Sequence, residues 1–158
     1  MEYVDFFDIS SLYNGSPNGT WHRQKTTGDI PEPRIDFCIV TVSAPDNSSH
    51  NIYMYGGAGK DKDTFFDTIH VLTIPSFTWI RIFEGKSPRF AHTCHVVGNR
   101  QMITVGGAND TVLNRGCDWE TKSVAIYNLA TLEWGSVFDA NAPPYQLPGQ
   151  ISSIIGGG

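Results

Sequence analysis

The run His92-Thr93-Cys94-His95 is the densest group of metal-capable side chains in the sequence, and with Cys38 and Cys117 it completes an inventory of three cysteines. Two imidazoles and a thiol within four residues would suit zinc, which takes sulfur and nitrogen donors in a tetrahedron. On a β-strand, however, side chains alternate between faces, so His92 and His95 point opposite ways. No second Cys/His cluster stands nearby in the sequence to complete a tetrahedron, and no metal site is expected. Other chemistry is equally thin. There is no glycine-rich phosphate loop, no serine nucleophile elbow and no pair of carboxylates at telling positions. No catalytic residue and no cofactor are assigned, and the reading is non-enzymatic.

The elements that would carry these residues are short strands. Charged residues make up 17% of the chain, aromatic residues 12%, and there are 16 glycines and 9 prolines. Low charge with many aromatics and turn formers indicates an all-β class. A net charge of −5 and 11 scattered lysines and arginines lack the clustered positive field that phosphate backbones require, so nucleic acid is excluded as a partner. No stretch approaches the length of apolar sequence that spans a bilayer, so no membrane insertion is expected within the chain. The first residues, Met1-Glu2-Tyr3-Val4-Asp5, do not read as a signal peptide.

A repeat organises the strands. Pro33-Arg34, Phe37-Cys38-Ile39-Val40, Ile52-Tyr53-Met54-Tyr55-Gly56-Gly57, Ile69-His70-Val71-Leu72 and Trp79-Ile80-Arg81-Ile82 recur further on. The second copy reads Pro88-Arg89, Thr93-Cys94-His95-Val96, Met102-Ile103-Thr104-Val105-Gly106-Gly107, Val124-Ala125-Ile126-Tyr127 and Trp134-Gly135-Ser136-Val137. Arg34 to Arg89 and Trp79 to Trp134 are 55 residues apart, whereas Gly56 to Gly106 is 50. Strands keep register while loops absorb the difference, as in a structural repeat. The second copy reads as strands over 91–97, 101–105, 123–128 and 133–138, with Gly98-Asn99 as a tight turn. A partial copy precedes the first, with Phe6-Phe7-Asp8-Ile9 matching Ile126-Tyr127-Asn128-Leu129 and Trp21 matching Trp134. A final strand is expected over 151–155. The domain map is a partial blade over 1–32, blades over 33–87 and 88–142, and the start of a further blade over 143–158.

Four strands per unit, paired glycines ending the second strand and a tryptophan opening the fourth resemble the kelch repeat. The resemblance rests on Arg89-x-x-His92-Thr93, on Gly56-Gly57 and Gly106-Gly107, on Tyr127-Asn128-Leu129-(x)4-Trp134, and on the matching Trp21 and Trp79. It implies a kelch-type β-propeller, here about three four-stranded antiparallel blades and therefore an incomplete ring. The paired glycines should admit another backbone or a large ring, and the tryptophan should supply that ring. Histidine is frequent in kelch repeats where His92 stands, so His92 is read as structural.

The meander topology divides the blade ends into two rims. Asn-x-Ser/Thr acceptors occur at Asn14, Asn18, Asn47 and Asn109; the first three fall in turns at one end. Glycans there would leave the opposite rim, with Arg34, Arg89, Lys60, Lys62 and Arg115, for a protein partner. Arg34 and Arg89 could equally cap the start of an inner strand. The loop bearing Cys117 should pass over Cys94, giving a Cys94–Cys117 disulfide and an oxidising compartment, with Cys38 as a buried free thiol. The phrases Asn51-Ile52-Tyr53-Met54-Tyr55-Gly56-Gly57, Gly98-Asn99-Arg100-Gln101-Met102 and Cys117-Asp118-Trp119-Glu120 resemble a group of fungal kelch proteins. That likeness implies an extracellular or cell-surface interaction scaffold whose parent is anchored C-terminally. The alternatives are a cytoplasmic kelch adaptor for cytoskeleton or cell polarity, and a fragment of a galactose-oxidase-like copper enzyme. The Tyr–Cys, Tyr and two-His arrangement that such copper chemistry needs is not matched here.

Overall fold

The computed structural model describes residues 1–61, 63–98, 100–109 and 123–157. Strands β1 (Tyr3–Asp8) and β2 (Thr20–Lys25) form a two-stranded sheet, joined through a short 3-10 helix at Ile9–Leu12. A link strand, β3 (Thr27–Gly28), leads to β4 (Cys38–Ser43), β5 (His50–Tyr55), β6 (Thr68–Ile74) and β7 (Thr78–Glu84). Then come β8 (Phe90–Val97), β9 (Gln101–Ala108), β10 (Val124–Asn128) and β11 (Glu133–Gly135), and a helix α1 (Gly149–Ile155). The second and third sheets are antiparallel meanders, β4 to β7 and β8 to β11, as the repeat demands.

The link strand is an addition to the expected pattern. It pairs in parallel with β7, Thr27 opposite Thr78 and Gly28 opposite Trp79, making the second sheet five-stranded. Two residues of pairing leave no periodicity to read in advance.

Packing is sheet against sheet. One face of the second blade presents Met54, Leu72 and Trp79 to Met1 and Val4 of the first. Its other face, with Tyr53, Tyr55, Ile69, Val71 and Ile80, meets Met102, Tyr127 and Trp134 of the third. Strand side chains alternate, so a central blade buried on both faces must be largely apolar on both, which accounts for the run Ile52-Tyr53-Met54-Tyr55 in β5 and for apolar residues on both faces of β6. Trp79 and Trp134 follow one rule: each faces the preceding blade. Trp79 is buried against the first sheet, and Trp134 packs on Tyr55 of the second with ring centroids 5.0 Å apart. Trp21, on the outer face of the first sheet, is 69% exposed.

The expected strand over 151–155 is instead part of α1. Ile151 and Ile155 are one helical turn apart, and Ile151 is fully buried in the core between blades two and three. Pro148 precedes the helix and Gly156, at φ +73°, ends it, a proline-start and glycine-stop arrangement that outweighs the strand propensity of isoleucine. Gln150 donates from Nε2 to the Arg81 carbonyl at 3.4 Å, so the chain folds back on the second blade.

The orientation of the faces makes a direct prediction for the 158-residue chain. Trp79→Ala should cost about 3–5 kcal/mol of stability, whereas Trp21→Ala should change it by no more than about 0.5 kcal/mol. Urea titration followed by circular dichroism reads both, and equal losses would refute this assignment of faces.

Candidate functional site

The seam between the second and third blades begins at the paired glycines. Gly56 and Gly57 have φ of +68° and +101°, a region where a side chain is strained. A Cβ on Gly56 would collide with the Arg89 carbonyl and the His92 ring of the next blade. That closeness is used: the Gly57 N–H donates to the Arg89 carbonyl at 2.8 Å, and the Ala91 N–H donates to the Asp36 carbonyl at 2.9 Å. At Gly56 a neighbouring backbone does approach, whereas nothing stands within 4 Å of a Cβ placed on Gly106. The ring against Gly56 is His92, however, and not a tryptophan; Trp134 lies instead among Tyr55, Tyr127 and Phe83.

Arg34 and Arg89 are inside the blades. Arg34 is 8% exposed and Arg89 3%. Arg34 Nη1 donates to the Gly56 carbonyl at 3.1 Å and to Thr68 Oγ1 at 2.9 Å, and its guanidinium lies 3.6 Å from the Phe66 ring centre. Arg89 Nη1 donates to the Gly106 carbonyl in the same way. Each arginine satisfies the carbonyl of the first glycine in its own blade, at the far end of the second strand and not at the start of the inner one. Burial pulls Arg34 down to about 10, which leaves it charged at neutral pH. Of the other rim residues, Lys60 is exposed, while Lys62 and Arg115 lie outside the described residues.

The rim does hold a cleft, of about 380 Å³, with Asp29, Glu32, Arg34, His70, Arg81 and Glu84 in its wall. Asp29 accepts the Arg81 backbone N–H at 3.0 Å, and Arg81 pairs with Glu84 at 2.9 Å. The cleft lies at the end of the second blade where β5 passes to β6, the Lys60 end. His70 in its floor was not singled out from the sequence, since a histidine in an apolar strand gives no signal of its own. On the opposite rim Asn14, Asn18 and Asn47 are all exposed, while Asn109, beyond β9, is partly buried.

The cysteines pair otherwise than expected. Cys38 on β4 is bonded to Cys94 on β8, with Cα atoms 5.6 Å apart, so it is not a free thiol. Cys117, the expected partner, lies outside the described residues. The bond joins innermost strands of adjacent blades. Cys38 stands opposite Tyr55 and Cys94 opposite Thr104, one place apart in the repeat, so the two side chains leave facing sides of adjacent sheets and meet between them. His92, two residues before Cys94 and on the same face, brings one ring nitrogen to the two sulfurs: a ligand atom from each of the three residues lies within 4.8 Å of the others.

His70 and His92 are both held neutral. Burial lowers each to about 4, with Arg34 and Arg81 adding to the effect at His70 and Arg89 at His92; Asp29 opposes it weakly at His70. The unfolded chain, with histidine near 6.5, takes up these protons first as pH falls. Stability from the neutral rings is therefore complete above pH 6.5 and drains away towards pH 4, by on the order of 3 kcal/mol per histidine. Denaturant midpoints should fall across that window, and His70→Asn should flatten the fall; a flat profile in the unaltered chain would contradict the burial assigned here.

Comparison with known proteins agrees with this geometry. Residues 7–157 match the KLHDC2/KLHL20/DRC7 Kelch-repeats domain. The chain is 28% identical over 185 aligned positions to a kelch repeat-containing protein of Arthroderma benhamiae, covering 99% of this chain and 26% of that protein. It is 30% identical to human host cell factor 2 over 168 positions, 96% of this chain and 21% of the relative. It is 28% identical to Drosophila melanogaster host cell factor over 84% of this chain and 9% of the relative. The chain thus spans about a quarter or less of the length of these relatives.

Proposed function

The chain belongs to the kelch-repeat family, and from that premise we propose that it is a non-enzymatic protein-interaction scaffold acting outside the cell or at its surface. Kelch repeats present loops from a rigid sheet array, and binding residues concentrate on loops held by such scaffolds. The observation that carries the reading is the difference between the rims. Exposed Asn14, Asn18 and Asn47 share one end of the blades, and the opposite end holds exposed Lys60 and the cleft between Asp29, Arg81 and Glu84. Glycans on the first rim would keep it solvated and direct a protein partner to the second. The cleft wall is mixed in charge, which suits a polar, hydrogen-bonding contact that selects its partner by charge placement. The Cys38–Cys94 bond fits an oxidising compartment.

The test takes the protein from its native host and combines two measurements. Peptide mass spectrometry without reduction should find Cys38 linked to Cys94 and at least one of Asn14, Asn18 and Asn47 glycosylated. Free thiols with bare asparagines would instead assign the chain to the cytoplasmic adaptors. A glycan wedge, D61N with D63T, introduces an Asn-x-Thr acceptor on the cleft rim at two exposed positions. It should abolish cross-linking to the partners that the unaltered protein captures, whereas N14Q with N47Q should leave that capture intact. Undiminished capture by the glycosylated wedge variant would overturn the choice of rim.

A further inference from the structure

We propose that Cys38, Cys94 and His92, once the disulfide is reduced, form a binding site for a thiophilic d10 cation, Zn2+, between the second and third blades. The donors come from two inner strands. β8 supplies His92 and Cys94 at alternate positions, hence on one face, and β4 supplies Cys38. Their ligand atoms already lie within 4.8 Å of one another before any side chain rotates. Zinc–sulfur bonds of about 2.3 Å and zinc–nitrogen bonds of about 2.0–2.1 Å place donors across such a gap when both sulfurs turn toward the ring.

A second observation points independently to a ligand. His92 is 6% exposed, and neither ring nitrogen makes a hydrogen bond of normal geometry; the Tyr55 backbone is a weak polar neighbour. A buried polar atom without a good partner is costly, and each such group in a folded protein calls for an explanation. A cation on the thiolate side of the ring supplies one. His95 points to the opposite face of β8 and no second Cys/His cluster is adjacent in sequence, but Cys38 arrives from the neighbouring blade. Two thiolates and an imidazole make three donors, leaving a fourth position for water or an added ligand, on the side where Cys94 is only partly buried.

The two occupants exclude each other, and the exchange balances. Two equivalents of a small-molecule thiol reduce the disulfide, giving two protein thiols and one small-molecule disulfide, with two electrons and two protons passed to the cysteines. Zinc then displaces the two thiol protons and binds both sulfurs and the neutral imidazole. A disulfide oxidant reverses the sequence and releases the metal. In either state β4 and β8 remain tied, covalently when oxidised and through the cation when reduced.

Cobalt substitution on the full-length protein tests this, because thiolate-bound Co2+ gives a sulfur-to-metal charge-transfer band. After anaerobic reduction with a phosphine, added Co2+ should produce that band at one equivalent per chain, and Zn2+ should bleach it. The oxidised protein should give none. C38S, C94S and H92N should each lose or markedly weaken the band, while C117S should keep it. Circular dichroism of each variant separates lost folding from lost ligation, and the unaltered protein's own spectrum decides the question even if a variant unfolds. Absence of the band in the reduced protein, or its survival in C38S and C94S, would overturn the proposal.

Discussion

The approach of the Arg89 carbonyl to Gly57, with Gly56 leaving the space for it, sets how near the third blade can stand to the second. A hydrogen bond of 2.8 Å fixes that separation at one point, and the bond can form only because no Cβ stands in the way. Everything on the seam inherits the distance. Tyr55 reaches both the His92 ring and Trp134, each with centroids 5.0 Å away. Cys38 comes within bonding reach of Cys94. The Arg34 guanidinium then holds the Gly56 carbonyl, so the Gly57 N–H and the Gly56 carbonyl both have protein partners.

Further out along the seam, the same separation is filled by aromatic rings and closed by a second polar link. Tyr53 donates to the Leu129 carbonyl at 3.1 Å and stands 2.9 Å from the Tyr145 hydroxyl. Burial raises the pKa of both phenols, so they stay protonated and able to donate. Tyr145 lies in the segment running from the third blade to α1, and it therefore clasps blade two, blade three and the returning chain together.

Most of this architecture was legible because it depends on residues with narrow conformational roles. Paired glycines at matching positions announced the close approach, and Trp79 and Trp134 announced the repeat. The apolar runs announced sheets covered on both faces. What escaped was set by relations between blades or by context. The Cys38–Cys94 bond needed the repeat to be folded in space, since nothing local distinguishes Cys38 from an ordinary buried thiol. The arginines read ambiguously because one residue type serves equally for capping a carbonyl and for meeting a partner, and only burial separates the two. Residues 149–155 misled because isoleucine favours strands, while the helix there follows from flanking Pro148 and Gly156 and from the hole that Ile151 fills.

The parallel link strand β3 has a bearing on how ligands can be held. It sits on the outer margin of the second blade, where Thr27 N–H donates to the Phe77 carbonyl and Asp29 N–H to the Trp79 carbonyl, while the Asp29 carboxylate takes the Arg81 N–H. The β7 edge between Phe77 and Arg81 is thus engaged by the chain itself and not open to an added strand. Side chains and loop tips are what that margin leaves as a variable surface. Such a surface can be respecified by substitution alone, without disturbing the hydrogen-bonded frame beneath it.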